Sequence, residues 1–178
     1  MNRKTFSIVL ILSVIACGAA SAADRAKTEP GNVTVVFDHP EQFADVKDAY
    51  MPTDKGRDAI LSEISKFIIE RASSYLQAGR KLEVTFTEID LAGEFEPQLG
   101  PSFSDVRIMK DIYAPRIDLE FKITDADGKV LSEGKRKLRD LNYLQRLLLS
   151  SNDPLRYEKD ILNDWLHDEI KSAATAAR

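Results

Sequence analysis

Residues 115–140 constrain the fold more than any other stretch, because residue period, turn chemistry and polarity agree there on one structure. Ile117, Leu119, Phe121 and Ile123 alternate with Asp118, Glu120, Lys122 and Thr124, which is the two-residue period of a strand with one buried face. Asp125-Ala126-Asp127-Gly128 follows. Aspartate can bond the nearby backbone and glycine accepts positive φ, so this tetrad predicts a turn. A four-residue loop sets Ile123 opposite Val130 and Leu119 opposite Gly134. A slip of one residue would put Glu133 and Lys135 on the apolar face, so parity selects the register. The expectation is an antiparallel hairpin with one wet side.

The rest of the chain falls into line around that hairpin. Val33-Thr34-Val35-Val36-Phe37 predicts a first strand. Phe43 and Tyr50, in an aperiodic stretch ending at Pro52, read as aromatic anchors of an ordered loop. Thr53 or Asp54 can cap a helix whose apolar stripe is Ile60, Ile64, Phe67, Ile68, Ala72 and Tyr75, with Gly79 as its stop. Leu82, Val84 and Phe86 alternate as a strand, yet Ile89 and Leu91 lie on the other parity, so a bulge or an end is expected near Thr87. Gly93, Pro97, Gly100 and Pro101 punctuate a long loop, after which Val106, Ile108 and Ile112 suggest a short strand. Residues 141–152, with the run Leu147-Leu148-Leu149, read as an irregular crossing. Asp153-Pro154 then supplies the cap and first-turn proline of a last helix, buried through Tyr157, Ile161, Leu162, Trp165, Leu166 and Ile170. This order predicts an α+β fold of two layers: an antiparallel or mixed sheet of four to five strands with two helices on one face. One domain, residues 33–174, accommodates it.

The first residues carry an address rather than a fold. Asn2-Arg3-Lys4 precedes an apolar run from Phe6 to Ala16, and Ala20-Ser21-Ala22 has the small-x-small form of a cleavage signal. A signal peptide over 1–22, cut between Ala22 and Ala23, is expected, followed by a flexible mature N-terminus over 23–32 and a periplasmic or secreted location. The run is too short for a stable membrane span, and no transmembrane segment is expected in the mature chain. Cys17 is the single cysteine and lies inside that leader. Val14-Ile15-Ala16-Cys17 also resembles a lipobox, which leaves open acylation at Cys17 and a lipid anchor in the envelope. Without the leader's Arg3 and Lys4, the 25 basic residues fall to 23 against 29 acidic ones, a formal charge of −6. That disfavours nucleic acid. The basic cluster Lys135, Arg136, Lys137 and Arg139 points to both faces of its strand and reads as edge protection.

No constellation in the chain spells out a reaction. Its phrases nonetheless resemble a bacterial family known as domain of unknown function 3016: Val33-Thr34-Val35-Val36-Phe37 with Pro40-Glu41, Asp90-Leu91-Ala92-Gly93 with Phe95-Glu96-Pro97, Asp105-Val106-Arg107-Ile108, and Asp153-Pro154-Leu155-Arg156-Tyr157. The resemblance implies an exported bacterial protein and lends no reaction. Among the polar residues in these phrases, Asp90, Glu96, Asp105, Arg107, Arg116, Asp140, Asn142 and Arg156 are candidates for ligand binding. Glu94 and Glu158 lie close to them in sequence. Paired carboxylates among Asp90, Glu96, Asp105 and Asp140 could serve a hydrolase or lyase, whereas Arg–carboxylate forks that merely pin loops would not. With no nucleophile or histidine beside them, no catalytic residue is assigned and a non-enzymatic domain is favoured. His39 and His167 stand alone, so neither a metal nor a cofactor is expected. The reading is a monomer whose partner is a small ligand or another envelope protein.

Overall fold

The computed structural model describes residues 25–28, 31–47, 53–103, 105–146 and 152–176. The leader with Cys17, the cleavage pair Ala22 and Ala23, the Tyr50 anchor and the Leu147-Leu148-Leu149 run lie outside the described residues.

Its frame is a five-stranded sheet in the order β1-β2-β3-β6-β7. The strands are β1 (Arg25–Thr28), β2 (Val33–Asp38), β3 (Lys81–Asp90), β6 (Arg116–Thr124) and β7 (Val130–Arg139). A small separate ribbon pairs β4 (Glu94–Phe95) with β5 (Arg107–Ile108). Strands β2 and β3 run parallel, because the helix α1 (Asp54–Tyr75) carries the chain back between them. The other neighbours are antiparallel, so the sheet is mixed. The second helix is α2 (Arg156–Ala176).

Period sets the two faces of this sheet. Val33, Val35 and Phe37 of β2, Leu82, Val84 and Phe86 of β3, and Ile117, Leu119, Phe121 and Ile123 of β6 are all buried. Both helices pack over that face: Ile64, Ile68 and Ala72 come from α1, and Ile161, Leu162, Trp165 and Leu166 from α2. Phe37 stacks on Phe86 at 5.2 Å between ring centres, and Trp165 meets Phe121 edge-on at 5.7 Å. The Tyr75 hydroxyl donates to Asn163 Oδ1 at 2.9 Å and ties the helices together. The opposite face is polar, and its cross-strand ion pairs Glu83–Lys122, Glu120–Lys135 and Asp118–Lys137 neutralise much of the basic cluster on edge strand β7. Arg136 turns to the other side, lies over the Phe121 ring and pairs with Glu169 of α2 at 2.5 Å.

Within the stretch 23–32 the described residues 25–28 form β1 and pair with β2, whose free edge offers a row of unpaired backbone groups. Two expectations need correction. In the hairpin, Phe121 faces Gly134 and Ile123 faces Ser132, two residues on from the predicted register. One residue of the difference comes from a five-residue loop, which sets Thr124 opposite Val130, and the other from a bulge between Ile123 and Thr124. A shift of two preserves parity, so Glu133 and Lys135 remain on the wet side. The turn itself forms as its chemistry predicts: Asp125 Oδ1 accepts from the amides of Asp127 and Lys129 at 3.0 and 2.9 Å. The short strand expected from one parity of 106–112 shrinks to two residues, and Val106 and Ile112 are exposed.

The helix starts follow the sequence. Thr53 Oγ1 accepts from the Gly56 amide at 3.3 Å, and Asp153 Oδ1 accepts from the Leu155 amide at 2.8 Å. Asp153 Oδ2 also receives Lys159 Nζ at 2.7 Å. Burial pushes the Asp153 carboxyl up, but the Lys159 and Leu155 bonds outweigh it and hold the group below the usual carboxylate range. The stability it contributes is therefore present above the unfolded aspartate value, about 3.9, and lost as pH falls through the lower folded value. Asp153→Ala should cost about 1 kcal/mol at neutral pH, and Asp153→Asn less, because an amide oxygen still accepts from Leu155. Urea denaturation of both variants checks this; equal large losses would contradict the capping role.

Candidate functional site

The candidate site forms where β3 leaves the sheet. A register shift between Phe86 and Glu88 changes the strand's phase as the sequence predicts, which turns Ile89 and Leu91 into the core. The chain then reverses at Gly93, with φ of 79°, and enters the β4–β5 ribbon. A Cβ on Gly93 would stand 2.7 Å from Met109 Sδ and 2.9 Å from both Arg107 Cγ and the Ile108 carbonyl. Glycine is thus required twice, by backbone angle and by space.

Arg107 of β5 gathers the surrounding segments. Its Nη1 donates to Asp45 Oδ2 at 2.6 Å and to the Gly93 carbonyl at 3.0 Å, and its Nη2 donates to the Lys47 carbonyl at 3.1 Å. The guanidinium also lies 4.5 Å from the Phe95 ring centre. The segment 45–47 is thereby fixed against the end of β3, where the Leu91 amide donates to the Asp45 carbonyl at 3.1 Å.

From the other side comes the first turn of α2. Glu158 is almost fully buried and its Oε1 accepts from the Ala92 amide at 2.6 Å, while its Oε2 has no hydrogen-bond partner among the described residues. Burial pushes this carboxyl up, against the lowering effect of the Ala92 bond and of the Arg107 and Arg156 charges. Tyr157 packs edge-on against Tyr143 at 4.7 Å, and the Tyr143 hydroxyl donates to the Lys110 carbonyl at 2.7 Å.

Between these elements and α1 lies an open cavity of about 590 Å³, within the usual range for small-molecule sites. Its apolar walls come from Ile60, Leu91, Phe95, Met109 and Leu155. Arg107, Arg156 and Glu158 also line it, with Lys47 and Glu63 at the exposed rim.

Two of the eight sequence candidates, Arg107 and Arg156, line the cavity, and Asp90 immediately precedes the lining residue Leu91. Asp90 pairs with Arg116 at 3.4 Å; burial raises its carboxyl despite that cation. Glu96 is taken up elsewhere, by Lys110 Nζ at 2.6 Å and the Tyr113 hydroxyl at 2.5 Å. The Lys110 and Tyr113 bonds hold Glu96 below the usual range, and the same contact with Glu96 raises both partners. Asp140 accepts from the Asn142 amide at 2.9 Å and from Arg146 at 3.0 Å, and Arg146 continues to Asp160 at 2.8 Å and to Asp164. Asp105 is exposed. None of Asp90, Glu96, Asp105 and Asp140 lines the cavity. Sequence reasoning missed Asp45, Lys47 and Ile60, which reach the site from distant positions, and the only signal for the first two was their place in an ordered aperiodic loop.

The sequence pattern of the proteins of unknown function DUF3016 matches residues 31–168. The chain belongs to that family. The matched span takes in the sheet from β2 onward, the cavity and most of α2. Nothing matches among curated proteins, and nothing matches among solved structures. Among the described residues no group of three or more His, Cys, Asp or Glu is placed to hold a metal ion, and no helix is long and apolar enough to cross a membrane.

Two variants probe the scaffold of the site. Gly93→Ala should lose about 3 kcal/mol through positive φ and overpacking against Met109 and the Ile108 carbonyl, read as a fall in the urea midpoint. Glu158→Ala should cost about 1–3 kcal/mol because the buried Ala92 amide loses its acceptor. Unfolded glutamate titrates near 4.3 and folded Glu158 above it, so the folded state holds the proton longer and stability falls as pH rises through that window. Glu158→Gln has no proton to lose and should gain on the wild type across the same window; parallel stability–pH curves would show that Glu158 titrates alike in both states.

Proposed function

We propose that this chain is an exported protein of the bacterial envelope whose domain binds a small ligand without transforming it. The observation that carries the reading is the cavity beside α2: it is open, walled by apolar side chains and bordered by arginine, while the carboxylates Asp90, Glu96, Asp105 and Asp140 lie outside it. Three of those four are tied to cations, by Arg116, Lys110 and Arg146. Such pairs hold loops in place; of the carboxylates that do line the cavity, Glu158 is bound to the Ala92 amide and Glu63 stands at the rim beside Lys159, and among the described residues no histidine, cysteine or serine stands in the lining as the second group that acid–base or nucleophilic work needs. Fold alone would say little here, since one layered α+β frame hosts many functions.

Export rests on the basic start, the apolar run and Ala20-Ser21-Ala22. Cleavage after Ala22 releases a soluble monomer into the periplasm, and the negative charge of the mature chain argues against a nucleic-acid partner. Intact mass of the protein recovered from the periplasmic fraction should match a chain starting at Ala23. A diacylglyceryl group on Cys17 with recovery in the membrane fraction would instead make it an envelope lipoprotein. Binding is tested by extracting the protein purified from its native envelope with solvent and weighing what is released: one small molecule per chain supports the reading, and its absence from both the natural extract and a refilled cavity refutes it.

A further inference from the structure

Building on the ligand-binding reading, we propose that the cavity takes a single-chain amphiphile: an apolar tail between α1 and the end of β3, and an anionic head held at the rim by Arg156 and Lys47. Three observations lead there. The first is the gradient of exposure across the cavity. Leu91, Ala92 and Leu155 are buried and form its floor, whereas Lys47 and Glu63 are exposed and Arg156 is half-buried. Glu158 is also buried there, with its Oε1 taken by the Ala92 amide, so an occupant meets a mainly apolar floor and charge at the mouth.

The second is the balance of that charge. Of the three cations lining the cavity, Arg107 is consumed by Asp45 and three backbone carbonyls. Arg156 and Lys47 form no ion pair among the described residues. The bonds of Arg156 go to the Asp153 carbonyl at 3.2 Å and the Tyr157 hydroxyl at 3.4 Å, and a guanidinium has five N–H donors in all. On the opposing side, Glu63 stands 3.7 Å from Lys159 and is partly answered by it. Glu158, the other lining carboxylate, is buried and bound to the Ala92 amide, so the cations left at the mouth without a paired carboxylate among the described residues are Arg156 and Lys47, and a half-buried cation with spare donors gains most from a hydrogen-bonding anion.

The third is rigidity. Arg156 stacks over Tyr157 at 4.5 Å, and Tyr157 is locked against Tyr143, so the guanidinium is positioned before any ligand arrives. Little ordering remains for binding to oppose. Carboxylate and phosphate heads share this chemistry, and the experiment separates them.

Isothermal titration of the purified protein with octanoate, octyl phosphate, octanol and octylamine reads the proposal directly. One of the two anions should bind one to one and about tenfold tighter than octanol, the factor expected of one charge-assisted bond, with octylamine weakest. Whichever anion is tighter names the head group. Arg156→Gln should bring the anion down to the octanol affinity and leave octanol unchanged, with a thermal melt confirming the fold. Lys47→Gln, on the exposed rim and away from the Tyr157 stack, should reduce the anion preference by a smaller factor at unchanged stability. Equal binding of octanol and octanoate, or tightest binding of octylamine, overturns the anionic head while leaving an apolar binding cavity intact. No binding by any of the four overturns the cavity reading as well.

Discussion

Arg107 is the contact on which the working end of this protein depends. A guanidinium taken largely out of water is costly unless its charge and its donors are both met, and here Asp45 meets the charge while the carbonyls of Gly93 and Lys47 take the donors. Because those partners sit on separate segments, satisfying the one cation fixes the 45–47 loop, the Gly93 reversal and the β4–β5 ribbon in a single arrangement. Phe95 then covers the guanidinium face and becomes a wall of the cavity. The same guanidinium also reaches the Ala92 carbonyl at 3.5 Å, while the Ala92 amide is held from the opposite element by Glu158. Arginine from β5 and glutamate from α2 thus grip one peptide stretch from two sides.

The sheet explains why the cavity opens at this end. Along most of β3 and β6 the alternation is strict, one face apolar under the helices and the other cross-linked by ion pairs. The register shift after Phe86 breaks that regularity. Beyond it, Leu91 and Ala92 follow the end of β3 and line the cavity together with Ile60 and Glu63 of α1 and Arg156 and Glu158 of α2. A strand irregularity that re-aims side chains at a sheet margin is a common origin of binding sites.

How much of this was legible depended on range. Local signals carried far: Thr53 and Asp153 cap their helices, the Asp125 turn closes as its side chain requires, and the change of parity between Phe86 and Ile89 marks a real bulge. The hairpin's faces were readable and its exact pairing was not, since a shift of two residues changes no side chain's face and is decided by a loop one residue longer together with the bulge beside Thr124. Strand β1 lay beyond local reading for a related reason: its pairing is supplied by the open edge of β2 rather than by any apolar pattern of its own.

The sequence by itself determined the periods, caps and turns, and with them two helices against one face of an antiparallel or mixed sheet, because each depends on residues within a few positions of one another. It also named the polar residues worth weighing. Only the tertiary structure decided which of them meet. Glu96 and Asp140 are drawn away to Lys110 and Arg146, Arg107 is claimed by Asp45 from 62 residues away, and Arg156 and Glu158 are left beside a cavity whose walls come from four separated stretches. Charge pairing and cavity shape are properties of distance in space, and no period along the chain encodes them.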